Sequence, residues 1–317
     1  MLRYIGRRLL AMLPLLLLIS FIVFTLLYLA PYDAVDAIKT PAMSEATVEA
    51  LRHKHGLDQP FLLQFTYWLK NVVMGDFGRS IMTNQLISQE LILRFKNTLW
   101  LMVPAYVLAY GLAIVLGLIA GNNRGTWLDK VLDTLFSMGL STPPFWLAML
   151  VIYIFALRLG WLPTLGMYDI GQANFLNLLK HLILPVFVLV VAIFPDVARY
   201  VRASVIGQLD QQYVLVQRSL GASRWEILSH HIARNVLLPV VTQIGTSLPA
   251  LVTGATITET IFQWPGVGSY FLTATRQLDY PVIMAVMLCS AVLVVLGNLL
   301  ADILYAVVDP RIRLGGE

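Results

Sequence analysis

Tyr213-Val-Leu-Val-Gln-Arg-Ser-Leu-Gly221-Ala-Ser-Arg-Trp-Glu-Ile-Leu-Ser-His-His-Ile-Ala-Arg-Asn-Val-Leu-Leu-Pro239 is a polar, partly amphipathic stretch lying between long apolar segments, with a glycine near its middle and arginines on both sides. Ahead of Gly221, Leu209, Tyr213, Val216 and Leu220 recur at helical spacing, and beyond it Trp225, Leu228, Ile232 and Val236 do the same. This spacing predicts two short helices meeting at a glycine, the residue that most readily supplies the positive φ of a sharp reversal. Two readings fit the residues alone. The elbow could seat in a groove on a soluble partner, as amphipathic helices do, or lie on anionic lipid with its arginine heads at the phosphates.

The rest of the chain explains why such an elbow stands out. Of 317 residues, 58% are hydrophobic and only 13% charged, with a mean hydropathy of +0.75. Soluble domains carry about 25% charged residues, so the composition is that of a membrane protein. Six apolar stretches are long enough, or nearly so, to cross a bilayer: 9–30, 98–121, 135–157, 181–202, 236–262 and 281–307. The first follows Arg3, Arg7 and Arg8, and its length together with Pro31 after Ala30 argues for an uncleaved span rather than a signal peptide. The fourth is the shortest, with only Leu182 to Pro195 free of charge between His181 and Asp196.

Charge sets the expected orientation. With the N-terminus inside, Arg3, Arg7, Arg8, Arg124, Lys130, Arg199, Arg202, Arg218, Arg224, Arg234, Arg311 and Arg313 fall on the cytoplasmic side, while the two short outer loops hold Arg158, Lys180 and Arg276. The expectation is an all-α membrane protein of six transmembrane helices, a single transmembrane domain over 1–317. Both termini and the 208–235 loop are cytoplasmic, and a long extracytoplasmic segment covers 31–96. Within that segment Ser44 begins one short helix, and Leu62, Phe65, Leu69 and Val72, with Trp68 alongside, give a second an amphipathic face that ends at Gly75-Asp-Phe-Gly78. Ala109, Ala113, Gly117 and Gly121 form one stripe of small residues, and Thr246, Ala250, Gly254 and Thr258 another. Such stripes let helix backbones approach closely in lipid.

Tyr213-Val214, Arg218, Gly221, Arg234-Asn235 and Leu238-Pro239 resemble the coupling loop of binding-protein-dependent ABC importer permeases, in the dipeptide, oligopeptide and nickel branch. Glu259-Thr-Ile-Phe-Gln-Trp-Pro-Gly-Val-Gly268, Asp279-Tyr-Pro281 and Asp309-Pro-Arg-Ile-Arg313 extend the resemblance. So do Gly56-Leu-Asp-Gln-Pro60, Gly75-Asp-Phe-Gly78, Pro144-Phe-Trp146 and Gly160-Trp-Leu-Pro163, so that it runs along essentially the whole chain. The chain departs from the pattern at Val216 and Gln217, where the broader superfamily has small residues, at Arg234, and at Pro31-Tyr-Asp33. The resemblance implies a type I ABC importer permease fold and a second, homologous permease subunit, a heterodimer. It also implies two cytoplasmic ATP-binding subunits that grip the 208–235 loops and an extracytoplasmic substrate-binding protein. The cargo would be short peptides, nickel or metal-chelate complexes. Tyr213, Arg218, Gly221, Arg224, Trp225, Leu228 and Arg234 are then the ATPase-coupling residues: Gly221 for the turn, Arg218 and Arg224 for polar contacts, Trp225 and Leu228 for apolar ones.

The chemistry the chain lacks agrees. None of the lysines (39, 54, 70, 96, 130 and 180) follows a glycine, so there is no P-loop to cradle ATP. Cys289 is alone, the adjacent His230 and His231 diverge around a helix, and no Ser/His/Asp group or carboxylate pair suits catalysis, so no enzyme site, cofactor or metal site is expected. Three polar residues fall inside spans: Glu259, and Asn298 with Asp302 at i, i+4 on one helix face. Asp196, Arg199 and Arg202 close the fourth span and are expected to pair with one another. The rival reading is an ion-gradient-driven secondary carrier or channel, which would place such a carboxylate nearer mid-membrane than Glu259 and Asp302 lie.

Overall fold

The computed structural model describes residues 2–30, 35–36, 39, 43–54, 56–247 and 255–308, with the side chains of 2–9, 54, 234, 238, 241–242, 245–246 and 300–308 outside that description. Among the described residues the secondary structure is helical, apart from an isolated bridge between Arg79 and Leu86. Two compact units are present, one formed by 1–98 with 265–296, the other by 99–264 with 297–317.

The first unit is built on α1 (Leu2–Tyr28), whose Leu10–Tyr28 part is apolar enough to span a bilayer. Ser44 accepts the Thr47 amide at 3.2 Å and starts α2 (Glu45–Lys54), as expected of an N-cap. α3 (Phe61–Val73) packs on α1 through rings: Phe61 and Phe65 stand edge-on to Phe21 and Phe24 at 5.3–5.7 Å, and Trp68 lies 5.7 Å from Phe24. The face that buries is therefore Phe61, Phe65 and Trp68. Leu62, expected on it, points outward because the aromatic partners on α1 select the register.

After α3 the chain reverses through Gly75 and Gly78, both at positive φ, with the Asp76 carboxylate accepting the Gly78 amide at 2.8 Å. Ser80 then donates its hydroxyl to Asp279 at 2.5 Å, and the Ile81 amide donates to the same carboxylate at 3.2 Å. Two stretches far apart in sequence, Ser80-Ile81 just after the Gly75–Gly78 turn and Asp279 at the head of Asp279-Tyr-Pro281, thus meet at one buried acid. Asp279 precedes α13 (Tyr280–Val308), which packs with α12 (Val267–Arg276) and the start of α4 (Ile87–Asn122) in a core of Ile87, Leu91, Val267, Ala274, Val282 and Val286.

The second unit contains the apolar part of α4, then α5 (Trp127–Ser141), α6 (Pro144–Val151) running into a π-helical turn Ile152–Arg158, and α7 (Phe175–Leu209). α5 and α6 are bent by 97° at Thr142-Pro143, where proline supplies no amide for a continuous helix. The stretch expected to be the shortest span is part of the second longest helix, 35 residues over Phe175–Leu209. It tolerates Pro185 and Pro195 and is the most deeply packed of the candidate spans, its most apolar stretch 56% buried. The first small-residue stripe shows why α7 is packed so deeply. A Cβ on Gly117 would stand 2.7 Å from Val201 Cβ and 2.8 Å from the Ala198 carbonyl, and one on Gly121 would stand 2.6 Å from Val205 Cβ. Small residues let α4 lie against α7 at backbone distance, and Gly139 on α5 meets the Pro195 ring in the same way.

Four described helices are long and apolar enough to span, five if the bent pair counts as one. The fifth expected span, 236–262, breaks into α10 (Ala233–Ser247) and α11 (Thr256–Ile261), with residues 248–254 outside the described set, as are Ala250 and Gly254 of the second stripe.

Candidate functional site

α7 ends at Leu209, and after Asp210 and Gln211 the chain starts α8 (Gln212–Ser219). α8 buries Val214 completely, while Val216 and Leu220 stand 54% and 75% exposed. The apolar face drawn through Val216 and Leu220 is therefore the outer face of this helix; a single valine on the opposite side supplies its anchor. Polar groups complete the attachment. The Tyr213 hydroxyl donates to Gln208 Oε1 at 2.8 Å, and Asn235 Nδ2 reaches both Gln208 Oε1 and the Tyr213 hydroxyl at 3.4 Å, joining α7, α8 and α10.

The reversal is a Schellman motif. The Gly221 amide donates to the Arg218 carbonyl at 3.1 Å and the Ala222 amide to the Gln217 carbonyl at 3.1 Å, while Gly221 sits at φ +85°. Ser223 accepts the Glu226 amide at 3.2 Å and caps α9 (Arg224–Glu226). Ser223-Arg-Trp-Glu226 is the capping-box pattern, a sequence signal for the second helix that the apolar spacing alone did not reveal. α9 continues as a π-helical turn, Ile227–Ile232, into α10. The wider turn shifts the buried register, and the inner face becomes Ile227, Leu228, Ile232, Val236 and Val240, packed on Val197, Val201 and Val205 of α7.

These facts sort the expected coupling residues. Trp225 (69% exposed), Arg218 and Arg224 project outward on both sides of Gly221, next to Leu215, Val216 and Leu220. Leu228, expected as an apolar contact, is 3% exposed and belongs to the core. Tyr213 is half-buried and acts as a staple. The Arg234 side chain lies outside the described residues. The elbow thus presents a mixed apolar and basic tip on a base fixed to α7, a shape suited to insertion into a groove.

A second correction concerns the charges that close α7. Arg202 does not pair along its own helix. Its Nε and Nη2 donate to the two oxygens of Asp129 at 2.6 and 2.9 Å, and Arg199 Nε lies 3.9 Å from Asp133. Asp129, 3% exposed, also accepts the Gly125 amide at 2.9 Å, which ties the start of α5 to α7. Charge spacing along α7 predicted a local pair, but the partners come from α5, 73 residues away for Arg202. Glu259 is fully buried in α11, Asn298 is exposed on α13, and the Asp302 side chain lies outside the described residues. Among the described residues no three His, Cys, Asp or Glu side chains gather as metal ligands.

Comparison with known proteins agrees with this architecture. A profile of the family described as "Binding-protein-dependent transport system inner membrane component" matches residues 113–314, and its companion, "Binding-prot-dependent transport system membrane comp, N-term", matches residues 1–102. The chain is 40% identical over 312 residues to the oligopeptide transport system permease protein AppB of Bacillus subtilis, covering 98% of this chain and 99% of that one. It is 37% identical over 314 residues to the glutathione transport system permease protein GsiC of Escherichia coli K12, covering 99% of each. Among solved structures, a chain of the MetNI methionine ABC transporter in an inward-facing conformation superposes with a TM-score of 0.56 at 16% identity, over 69% of this chain and 96% of that chain, which shows a shared fold. The elbow, the long packed α7 and the whole-length relatives converge: this chain belongs to the family of binding-protein-dependent transport system inner membrane components.

Proposed function

We propose that this chain is the permease subunit of an ATP-driven importer of short peptides, and that the Tyr213–Asn235 elbow is its handle for the motor. Membership in the family makes it the membrane component, working with separate ATP-binding and substrate-binding proteins, so the chain itself is non-catalytic. The named relatives carry oligopeptides or glutathione, and peptides are accordingly the cargo proposed here. The elbow's tip enters a cleft on a cytoplasmic ATPase, a homologous permease pairs with this one, a second ATPase serves that partner, and both termini face the cytoplasm. Closure of the ATPases on ATP pushes the two elbows, and each transmits the push as a lever because Val214, Ile227 and Leu228 fix it to α7.

The observation that carries this reading is the exposed Leu220, Arg218, Arg224 and Trp225 tip, set by Gly221 on a rigid base. Gly221 supplies the test. A Cβ there meets no atom within 4 Å, so the first carbon of a larger side chain enters open space and the cost is that of the positive φ, about 1–3 kcal/mol. Gly221→Leu is expected to leave membrane insertion intact while ATP hydrolysis by the assembled importer no longer drives uptake. Full-rate uptake by that variant would remove the role assigned to the elbow.

A further inference from the structure

We propose that Asp196 on α7 is an anionic subsite on the translocation path, taking the ammonium group of the passing substrate. The proposal rests on the peptide-permease reading above and names a site within it. Three observations lead to it.

The first is depth. Gly117 lies against Ala198 and Val201, and Gly121 against Arg202 and Val205, so α4 and α7 run parallel in register. The middle of the apolar run 98–121 is then level with about residue 192 on α7. Asp196 lies some four residues further on, roughly 6 Å along the helix axis at 1.5 Å per residue. The hydrocarbon core extends about 15 Å from its midplane, so Asp196 falls inside it.

The second is the missing counter-charge. The cations nearest along α7 are both engaged elsewhere, Arg202 on Asp129 and Arg199 on Asp133. Among the described residues no cationic nitrogen lies within ion-pairing distance of the Asp196 carboxylate, which is exposed. A carboxylate at this depth is costly against lipid, so it faces a water-filled space or another protein.

The third is the face it occupies. Ala192, Asp196, Arg199, Tyr200, Ala203 and Gly207 follow one another around the exposed side of α7, with Arg199 turned toward Asp133 on α5. A lipid face looks different in this chain: on α1 the exposed side is Leu10, Leu13, Leu17, Leu18 and Phe21. An exposed carboxylate on a face of small and polar residues suits a hydrated primary ammonium, the group every peptide with a free amino terminus carries.

The test uses the complete importer in proteoliposomes with radiolabelled dialanine as the probe. Asp196→Asn is expected to lower uptake about tenfold, while ATP hydrolysis stimulated by the loaded binding protein persists and Asp196→Glu restores most of the uptake. In a Cys289→Ser background, Asp196→Cys is expected to react with a water-soluble ammonium-bearing thiol reagent, and dialanine to slow that reaction during turnover. Wild-type uptake by Asp196→Asn overturns the proposal. Labelling of Cys at 196 by lipid-soluble reagents alone also overturns it, since the residue would then face lipid or a partner's cation. If the unaltered importer hydrolyses ATP but never accumulates dialanine, the peptide reading fails instead.

Discussion

Trp225 is the residue on which the docking argument bears most directly. An indole 69% exposed on the elbow has no role in this chain's own core. Buried aromatic anchors commonly carry 2 kcal/mol or more of an interface. Trp225→Ala is therefore expected to weaken ATPase binding to the permease about thirtyfold or more, measured by co-purification across detergent-washed membranes, with little change in the permease's own thermal stability. Leu228→Ala should do the reverse. It removes a core side chain at the foot of the elbow, costing about 2–5 kcal/mol of stability. The two residues sit on one predicted apolar stripe, and spacing alone could not separate them. The π-helical turn after Glu226 rotates the register, and it is that rotation which sends Leu228 inward and leaves Trp225 exposed. Gly221 was legible because a positive φ is written into the residue type. Val214 was not, since its burial depends on where α8 meets α7.

At the scale of helices, close approach in α4 and α7 is set by volume. A Cβ at Gly117 would overlap both Val201 and the Ala198 carbonyl, and the carbonyl belongs to backbone that cannot rotate away. Gly117→Val is expected to overpack the contact by about 1–3 kcal/mol and to lower the midpoint of thermal unfolding in detergent. Gly111→Val, on the same helix with nothing within 4 Å of its Cβ, is the control and should leave it unchanged. The stripe was visible in sequence as a four-residue repeat of small side chains, but its partner was not, because a stripe states that something approaches and never what. The ion pairs followed the same rule. Arg199 and Arg202 beside Asp196 look self-sufficient on a helical net, yet Asp129 and Asp133 arrive from α5 once the helices pack. α3 is a third case: its amphipathic pattern was plain, and the aromatic rings of α1 decided which flank of it turned inward.

Orientation of the whole molecule is argued from charge, and it can be checked without assuming any partner. Basic residues gather on alternate connections, among them Arg124 before α5 with Lys130 in its first turn, and Arg218 and Arg224 on the elbow, while the short loops expected outside carry Arg158, Lys180 and Arg276. The asymmetry is legible from sequence because insertion reads flanking charge one segment at a time, before any tertiary packing exists. Span number is less legible, because a helix bent by 97° at Thr142-Pro143 counts as one crossing or none depending on where each half lies. A cysteine at each of two exposed positions, Gln59→Cys and Trp225→Cys, introduced singly in a Cys289→Ser background, separates the possibilities. In intact cells stripped of their outer barrier, a membrane-impermeant maleimide is expected to label the cysteine at 59 and spare that at 225; in inside-out vesicles the pattern should invert. Labelling of both from one side would place the elbow and the 31–96 segment in the same compartment. An elbow on the outer face could not meet an ATPase fed by cytoplasmic ATP, so that single result would dismantle the lever and the transport cycle built on it together.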